Sequence, residues 1–131
     1  MRRLVLSGYH PRRITRFTGS LNRGLEFYRG LFGADGAPAF HEESTYPRDI
    51  HAATQGILVF AYTGEDELAG RIVDWVVNNL YVGGGRCYHR KYRFHARRVV
   101  LMRWCVAWMA YALSEFERAR RLAPDDPSRI R

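Results

Sequence analysis

The sequence contains little of what stabilises secreted or membrane-spanning proteins. Its two cysteines, Cys87 and Cys105, are too few for a disulfide framework, so we expect a reducing, cytoplasmic location. Arg103 interrupts the apolar run from Val99 to Leu113, which falls short of the ~20 residues that a membrane-spanning helix needs. The apolar stretch that follows Arg2 and Arg3 is too short for a secretory leader. We therefore expect neither a membrane span nor a leader.

The common catalytic and cofactor motifs are missing too. The sequence has no phosphate loop ending in Gly-Lys-Ser/Thr, no dinucleotide fingerprint and no Gly-x-Ser-x-Gly elbow. Gly83–Gly85 lacks the lysine and the helix of a phosphate cradle and predicts a turn. The five histidines lack ligand spacing, and no carboxylate pair suits glycosidic cleavage. We expect neither a cofactor nor a metal.

Positive charge is abundant, and arginine supplies nearly all of it. The chain has 21 Lys+Arg against 13 Asp+Glu, and Lys91 is its only lysine. The cations cluster in two segments. The first segment contains Arg2, Arg3, Arg12, Arg13 and Arg16. The second contains Arg86, Arg90, Lys91, Arg93, Arg97, Arg98 and Arg103. Such patches are either solvated surface or attract polyanions.

Helical periodicity begins after a basic N-terminal segment. Residues 1–16 have no clear period, and we expect them to be loosely structured. Apolar residues then recur at spacings of three and four, which predicts an amphipathic helix that begins at Thr18 or Ser20 and stops at Gly33. They are Phe17, Leu21, Leu25, Tyr28 and Phe32.

Two further helices are predicted to form a hairpin. Asp49 is a candidate N-cap for a helix that ends at Gly64. The acidic residues Glu65–Glu67 then lie where the dipole of the next helix favours negative charge. The stretch from Gly83 to Phe94 combines a glycine turn with alternating aromatic and basic residues, and it predicts either a short β-excursion or a loop.

The last predicted helix runs from Ala96 or Val99 to Arg121 and is apolar on two faces. One face carries Met102, Val106, Met109, Leu113 and Phe116. The other carries Trp104, Trp108 and Tyr111. This pattern predicts a helix buried between two layers. Residues 124–131 are expected to be disordered. The sequence thus predicts an all-α fold of about four helices over residues 17–123.

Three motifs resemble the C-terminal part of an uncharacterised bacterial and archaeal family with the α/α-toroid fold, whose genes often lie among surface-polysaccharide genes. They are Tyr46-Pro47-Arg48-Asp49-Ile50-His51 with Gln55, Trp75 with Asn79, and Met102-Arg103-Trp104 with Ala107-Trp108-Met109. The aromatic Gly-Tyr-Phe-Tyr turn of the family is replaced here by Gly84-Gly85-Arg86-Cys87-Tyr88-His89.

The resemblance implies that the chain is the C-terminal piece of a toroid of helical hairpins, an incomplete barrel of about four helices. It implies a protein that acts on or binds carbohydrate, neutral or anionic, in surface-polysaccharide metabolism. Whether the parent protein is an enzyme stays open, and the piece is expected to be inactive alone. Because toroid hairpins cover one another, we expect self-association through uncovered apolar helix faces.

The candidate site residues lie at the predicted mouth of this barrel. Asp49 and His51 are the catalytic candidates, and the substrate-binding candidates are Tyr46, Gln55, Arg103, Trp104 and Trp108. Most of them have a structural alternative. Asp49 caps a helix in that case, His51 is a polar residue satisfied between helices, the tryptophans belong to the core, and Arg103 is a buried cation paired with Asp49, Asp74 or Glu42.

A different class of function competes with this interpretation. The segment RCYHRKYRFHARR alternates arginines with aromatic residues that can stack on bases. With the formal net charge of +8, it indicates a small basic helical module that binds nucleic acid or another polyanion.

Overall fold

A computed structural model describes residues 11–122, with side chains from Phe17 onward. This part of the chain is mostly helical: α1 spans Pro11–Arg29, α2 Ile50–Thr63, α3 Asp66–Asn79 and α4 Trp108–Arg121. A π-helical segment, Met102–Ala107, leads directly into α4. The first ten residues and the predicted disordered tail, residues 124–131, lie outside the described part.

Helix α1 begins earlier and ends earlier than predicted. It starts at Pro11 rather than at Thr18 or Ser20, because proline has a backbone angle suited to the first helical turn. Residues 11–16 are therefore helical rather than loosely structured. At the other end the helix stops at Arg29, before the predicted stop at Gly33.

Helix α2 forms the centre of the core and packs against both α3 and α4. Its residues Ile50, Ala53, Ile57 and Phe60 are completely buried. The predicted caps are confirmed. The Asp49 side chain accepts a hydrogen bond from the backbone N–H of His51, and Gly64 ends the helix in the left-handed region, with a φ of 81°.

Helices α2 and α3 form the predicted hairpin, since only Gly64 and Glu65 separate them. The loop between α1 and α2 lies across α3. It makes its closest approach at Gly36, where a Cβ atom would collide with the Arg71 backbone and where φ is 84°. Phe32 also packs in this region, with its ring edge-on to that of Phe60 at 5.3 Å. These contacts fix the loop that carries Phe40 and Tyr46 toward the start of α2.

The last helix differs from its prediction in both its start and its burial. The residues predicted to start it, Ala96 and Val99, precede it, and helical structure begins only at Met102. Only one face is buried, formed by Cys105, Met109, Ala112 and Phe116. The prediction of a helix enclosed between two layers is wrong, because Met102 is 78% exposed and the Trp104 and Tyr111 side chains are partly exposed.

Within residues 11–122, five short strands accompany the helices, so this part of the chain is mostly helical rather than all-α. They are β1 Arg48–Asp49, β2 Tyr81–Gly83, β3 Arg86–Cys87, β4 Arg90–Lys91 and β5 Ala96–Arg97. The pair β2–β3 is a hairpin around the predicted glycine turn. The other three form an antiparallel sheet in the order β1-β4-β5. The short β-excursion is thereby confirmed. Among residues 11–122, no helix has the length and hydropathy to cross a membrane.

Candidate functional site

A cleft of about 340 Å³ opens where the β1–β4 strand pair meets the start of α2 and the π-helical segment. Its lining combines charged, imidazole and aromatic side chains. The lining residues are Phe40, Asp49, His51, Ala52, His89, Arg90 and Trp104. The cleft therefore brings together Asp49, His51 and Trp104 from the residues predicted to form a site.

Asp49 lies on the polar side of the cleft, and its two oxygens are both engaged. One oxygen, Oδ1, accepts the cap hydrogen bond from the His51 backbone N–H at 2.7 Å. The other, Oδ2, accepts from Arg90 Nε at 2.5 Å across the β1–β4 pair. Only 8% of the residue is exposed. These two hydrogen bonds fix the orientation of the Asp49 carboxylate in the cleft.

His89 lies beside this ion pair. Its Nε2 is 3.6 Å from Asp49 Oδ2, which is beyond hydrogen-bonding distance. Burial lowers the pKa of the His89 imidazole below its ordinary value, and the charges of Arg90 and Arg97 add to this effect, whereas Asp49 opposes it. His89 is thus neutral near pH 7 and can offer a ligand either a donor or an acceptor.

Aromatic rings form another part of the cleft lining. The His51 ring lies edge-on to the rings of Trp104 and Trp108, with centroid distances of 4.6 Å and 6.0 Å. Trp104 remains 36% exposed and Phe40 49% exposed. Trp104 belongs to the π-helical segment, a rare conformation that often occurs at functional sites. The cleft therefore presents a partly exposed indole ring near a fixed ion pair.

The other four predicted site residues do not line the cleft. Trp108 packs against the hydrophobic core behind His51, and Gln55 is half-buried further along α2. Tyr46 lies against Arg48 instead, with 5.2 Å between the guanidinium carbon and the ring centroid. The structure thus separates these residues from the group that Asp49, His51 and Trp104 form.

Arg103 differs most from its predicted environment. The predicted buried ion pair with Asp49, Asp74 or Glu42 is wrong, because the side chain is exposed and its guanidinium lies 5.9 Å from the Trp104 ring centroid. The π-helical winding and the later helix start change which side of the helix each residue occupies. Arg90 is the cation that pairs with Asp49.

Sequence reasoning missed Phe40, His89 and Arg90. The sequence separation of 41 residues between Asp49 and Arg90 gives no local signal of their contact. The alternation of basic and aromatic residues around β4 was the one available hint. In the described part of the chain, no group of three or more His, Cys, Asp or Glu residues could hold a metal ion.

Comparison of the chain with protein-family models, with curated proteins and with solved structures finds no match.

Proposed function

We propose that the cleft binds a carbohydrate, and that the chain is the helical-hairpin piece of an α/α-toroid protein of surface-polysaccharide metabolism. The sequence resemblance supports the second part. The observation that carries the first is the partly exposed Trp104 ring, which lines the same cleft as the partly buried Asp49–Arg90 pair.

The chemistry of the cleft suits a sugar ring. A pyranose has an apolar face that packs on a flat indole ring, while its hydroxyl groups need fixed donors and acceptors. Trp104 supplies the ring, and His89 and the Asp49–Arg90 pair supply polar groups within the same cleft. The Asp49–Arg90 hydrogen bond holds both partners in place, which lowers the entropy lost when a ligand binds.

Binding is a better match to this cleft than catalysis. Both oxygens of Asp49 accept hydrogen bonds from the protein, which hold the carboxylate in a fixed orientation that suits the recognition of sugar hydroxyl groups. The two catalytic candidates, Asp49 and His51, serve in this proposal as binding and positioning residues.

A second candidate function rests on the tip of the hairpin that β4 and β5 form, away from the cleft residue Arg90. At its tip Phe94 is 89% exposed, with the Arg93 guanidinium 5.4 Å from its ring centroid. Tyr92 and His95 stack at 4.7 Å just behind the tip. Exposed aromatic and cationic groups in this arrangement are typical of proteins that bind single-stranded nucleic acid or other polyanions.

Two single substitutions separate these functions, and each serves as the control for the other. We expect Trp104→Ala to weaken binding to glycans in a calorimetric panel by about tenfold or more, and Phe94→Ala to leave it unchanged. If polyanion binding is the function, Phe94→Ala weakens binding to single-stranded oligonucleotides, and that binding falls steeply with added salt. Glycan binding that survives Trp104→Ala would contradict the carbohydrate proposal.

A further inference from the structure

The face of the β1–β4 pair that points away from the cleft carries two cations directly opposite each other. Arg48 is the cross-strand partner of Lys91, while Asp49 is the partner of Arg90. Because successive residues on a strand point to opposite faces, Arg48 and Lys91 lie on the other side from the Asp49–Arg90 pair. We refer to Arg48 and Lys91 as the cation pair.

Nothing in the described part of the chain neutralises the cation pair. Among the described residues, neither Arg48 nor Lys91 makes an ion pair with a carboxylate. Like charges directly opposite each other in a sheet are destabilising. The six residues of the β1-β4-β5 sheet include four cations and one carboxylate, a net charge of +3. The sheet therefore provides a positive potential that its own side chains do not balance.

The surroundings hold both cations in place. The Arg48 guanidinium carbon lies 5.2 Å from the Tyr46 ring centroid and 5.8 Å from that of Trp75. Its Nε is buried and has no acceptor among the described residues. Lys91 donates through Nζ to Asn79 Oδ1, and Asn79 Nδ2 donates to the Trp75 carbonyl oxygen at 2.8 Å. The two cations are thus positioned by one connected group of side chains.

We propose that the cation pair is a binding site for an oxyanion, a phosphate or sulfate group. A guanidinium offers a planar fork of donors to such a group, and an ammonium adds a point charge. The bound anion would remove the repulsion between Arg48 and Lys91 and accept hydrogen bonds from the terminal guanidinium nitrogens of Arg48, since its Nε is buried, and from Lys91 Nζ. This site uses Tyr46, Trp75 and Asn79, which the cleft does not. It does not depend on the carbohydrate proposal.

The test is the thermal unfolding of the full chain in sulfate and in phosphate, against chloride at equal ionic strength. An anion that binds only the folded state raises the melting temperature as its concentration rises. We expect Arg48→Gln and Lys91→Gln each to weaken the apparent affinity for sulfate by about tenfold. Lys91→Gln also provides the answer if Arg48→Gln fails to fold, because it keeps the guanidinium on its two rings.

Arg120→Gln is the matched control. Its guanidinium also lies on an aromatic ring, 5.5 Å from the Phe116 centroid, but at the far end of α4. Sulfate stabilises folded proteins in general by exclusion from their surface, and this effect should be the same in every variant. An equal response to sulfate in the wild type, Lys91→Gln and Arg120→Gln would overturn the proposal.

Calorimetry with inorganic phosphate, glucose 1-phosphate and glucose distinguishes a sugar ester from the free anion as the source of the oxyanion. A glucose 1-phosphate affinity about tenfold or more above that of phosphate would support the site and assign it a sugar ester. Equal affinities for the two phosphates would support the site as one for the free anion. Lack of binding by either phosphate would contradict it.

Discussion

The two faces of the β1–β4 strand pair differ although their residues are neighbours in sequence. On the cleft face, the opposed residues are Asp49 and Arg90, which have opposite charges and share a hydrogen bond. On the other face they are Arg48 and Lys91, which have the same charge. Arg48 lies against two aromatic rings, and Lys91 donates a hydrogen bond to the side-chain amide of Asn79. A shift of one position along each strand changes a complementary pair into a repulsive one.

This difference shows which contacts the fold itself requires. The Asp49–Arg90 pair joins two strands and caps α2, so its geometry is explained by folding alone. The cation pair has no such explanation, because a neutral residue at either position would remove the repulsion. The satisfied face therefore forms a rigid wall of the cleft, and the unsatisfied face is the better candidate for an external anion.

The largest expected effect of a substitution is on the satisfied face. Asp49→Ala removes the cap of α2 and leaves Arg90 without its partner. Loss of an N-cap alone costs about 1 kcal/mol, and loss of a partly buried ion-pair partner adds to it. We expect the free energy of unfolding, measured by urea denaturation, to fall by about 2–3 kcal/mol.

Glu117→Ala is the control for this change. It removes the carboxylate of an ion pair with Arg121 in which both side chains are largely exposed. Such pairs contribute about 0.5 kcal/mol or less. If Asp49→Ala were no more destabilising than Glu117→Ala, the stability of the fold would not depend on the Asp49–Arg90 pair.

We expect a smaller effect from a substitution that removes the hydrogen-bond acceptor of Lys91 on the other face. Asn79→Ala removes the acceptor of Lys91 and the hydrogen bond to the Trp75 carbonyl oxygen. We expect a loss of about 1 kcal/mol in the free energy of unfolding and a weaker response of the melting temperature to sulfate. Asn78→Ala, at an exposed position of α3, should change neither quantity. An unaltered sulfate response in Asn79→Ala would show that Lys91 needs no positioning.

The smallest effect concerns His89 and pH. Burial lowers its pKa in the folded state below the ordinary value of 6.5. As pH falls below that value, the unfolded chain takes up a proton that the folded chain does not, so stability decreases toward the folded pKa and is unaffected above about pH 7. We expect His89→Gln to be less sensitive to pH than the wild type between about pH 7 and pH 5, as measured by urea denaturation. An identical pH dependence would contradict the lowered pKa.

Local signals made most of the helical framework predictable. Asp49 and Gly64 bound α2 as expected, and Glu65–Glu67 lie at the start of α3, because caps and dipoles depend on residues within one turn. The start of α4 was not predictable in this way. Helical periodicity assumes 3.6 residues per turn, and the π-helical winding at Met102–Ala107 departs from it.

The site was less predictable, since its contacts join distant segments. Of the predicted site residues, Asp49, His51 and Trp104 line one cleft, and their residue types had suggested a polar and aromatic mouth. The sequence did not identify Arg90 as the partner of Asp49, because strands of two residues carry almost no periodic pattern. For the same reason the opposition of Arg48 and Lys91 became visible only through the strand register.

The most direct test of the carbohydrate proposal is an NMR titration that follows the indole N–H signals of the three tryptophans. Trp104 reports on the cleft, Trp75 on the cation pair and Trp108 on the core behind His51. If the carbohydrate proposal holds, a bound neutral glycan shifts the Trp104 signal and leaves that of Trp75 in place. A glycan that leaves the Trp104 signal unmoved, or that shifts only the Trp75 signal, would contradict it.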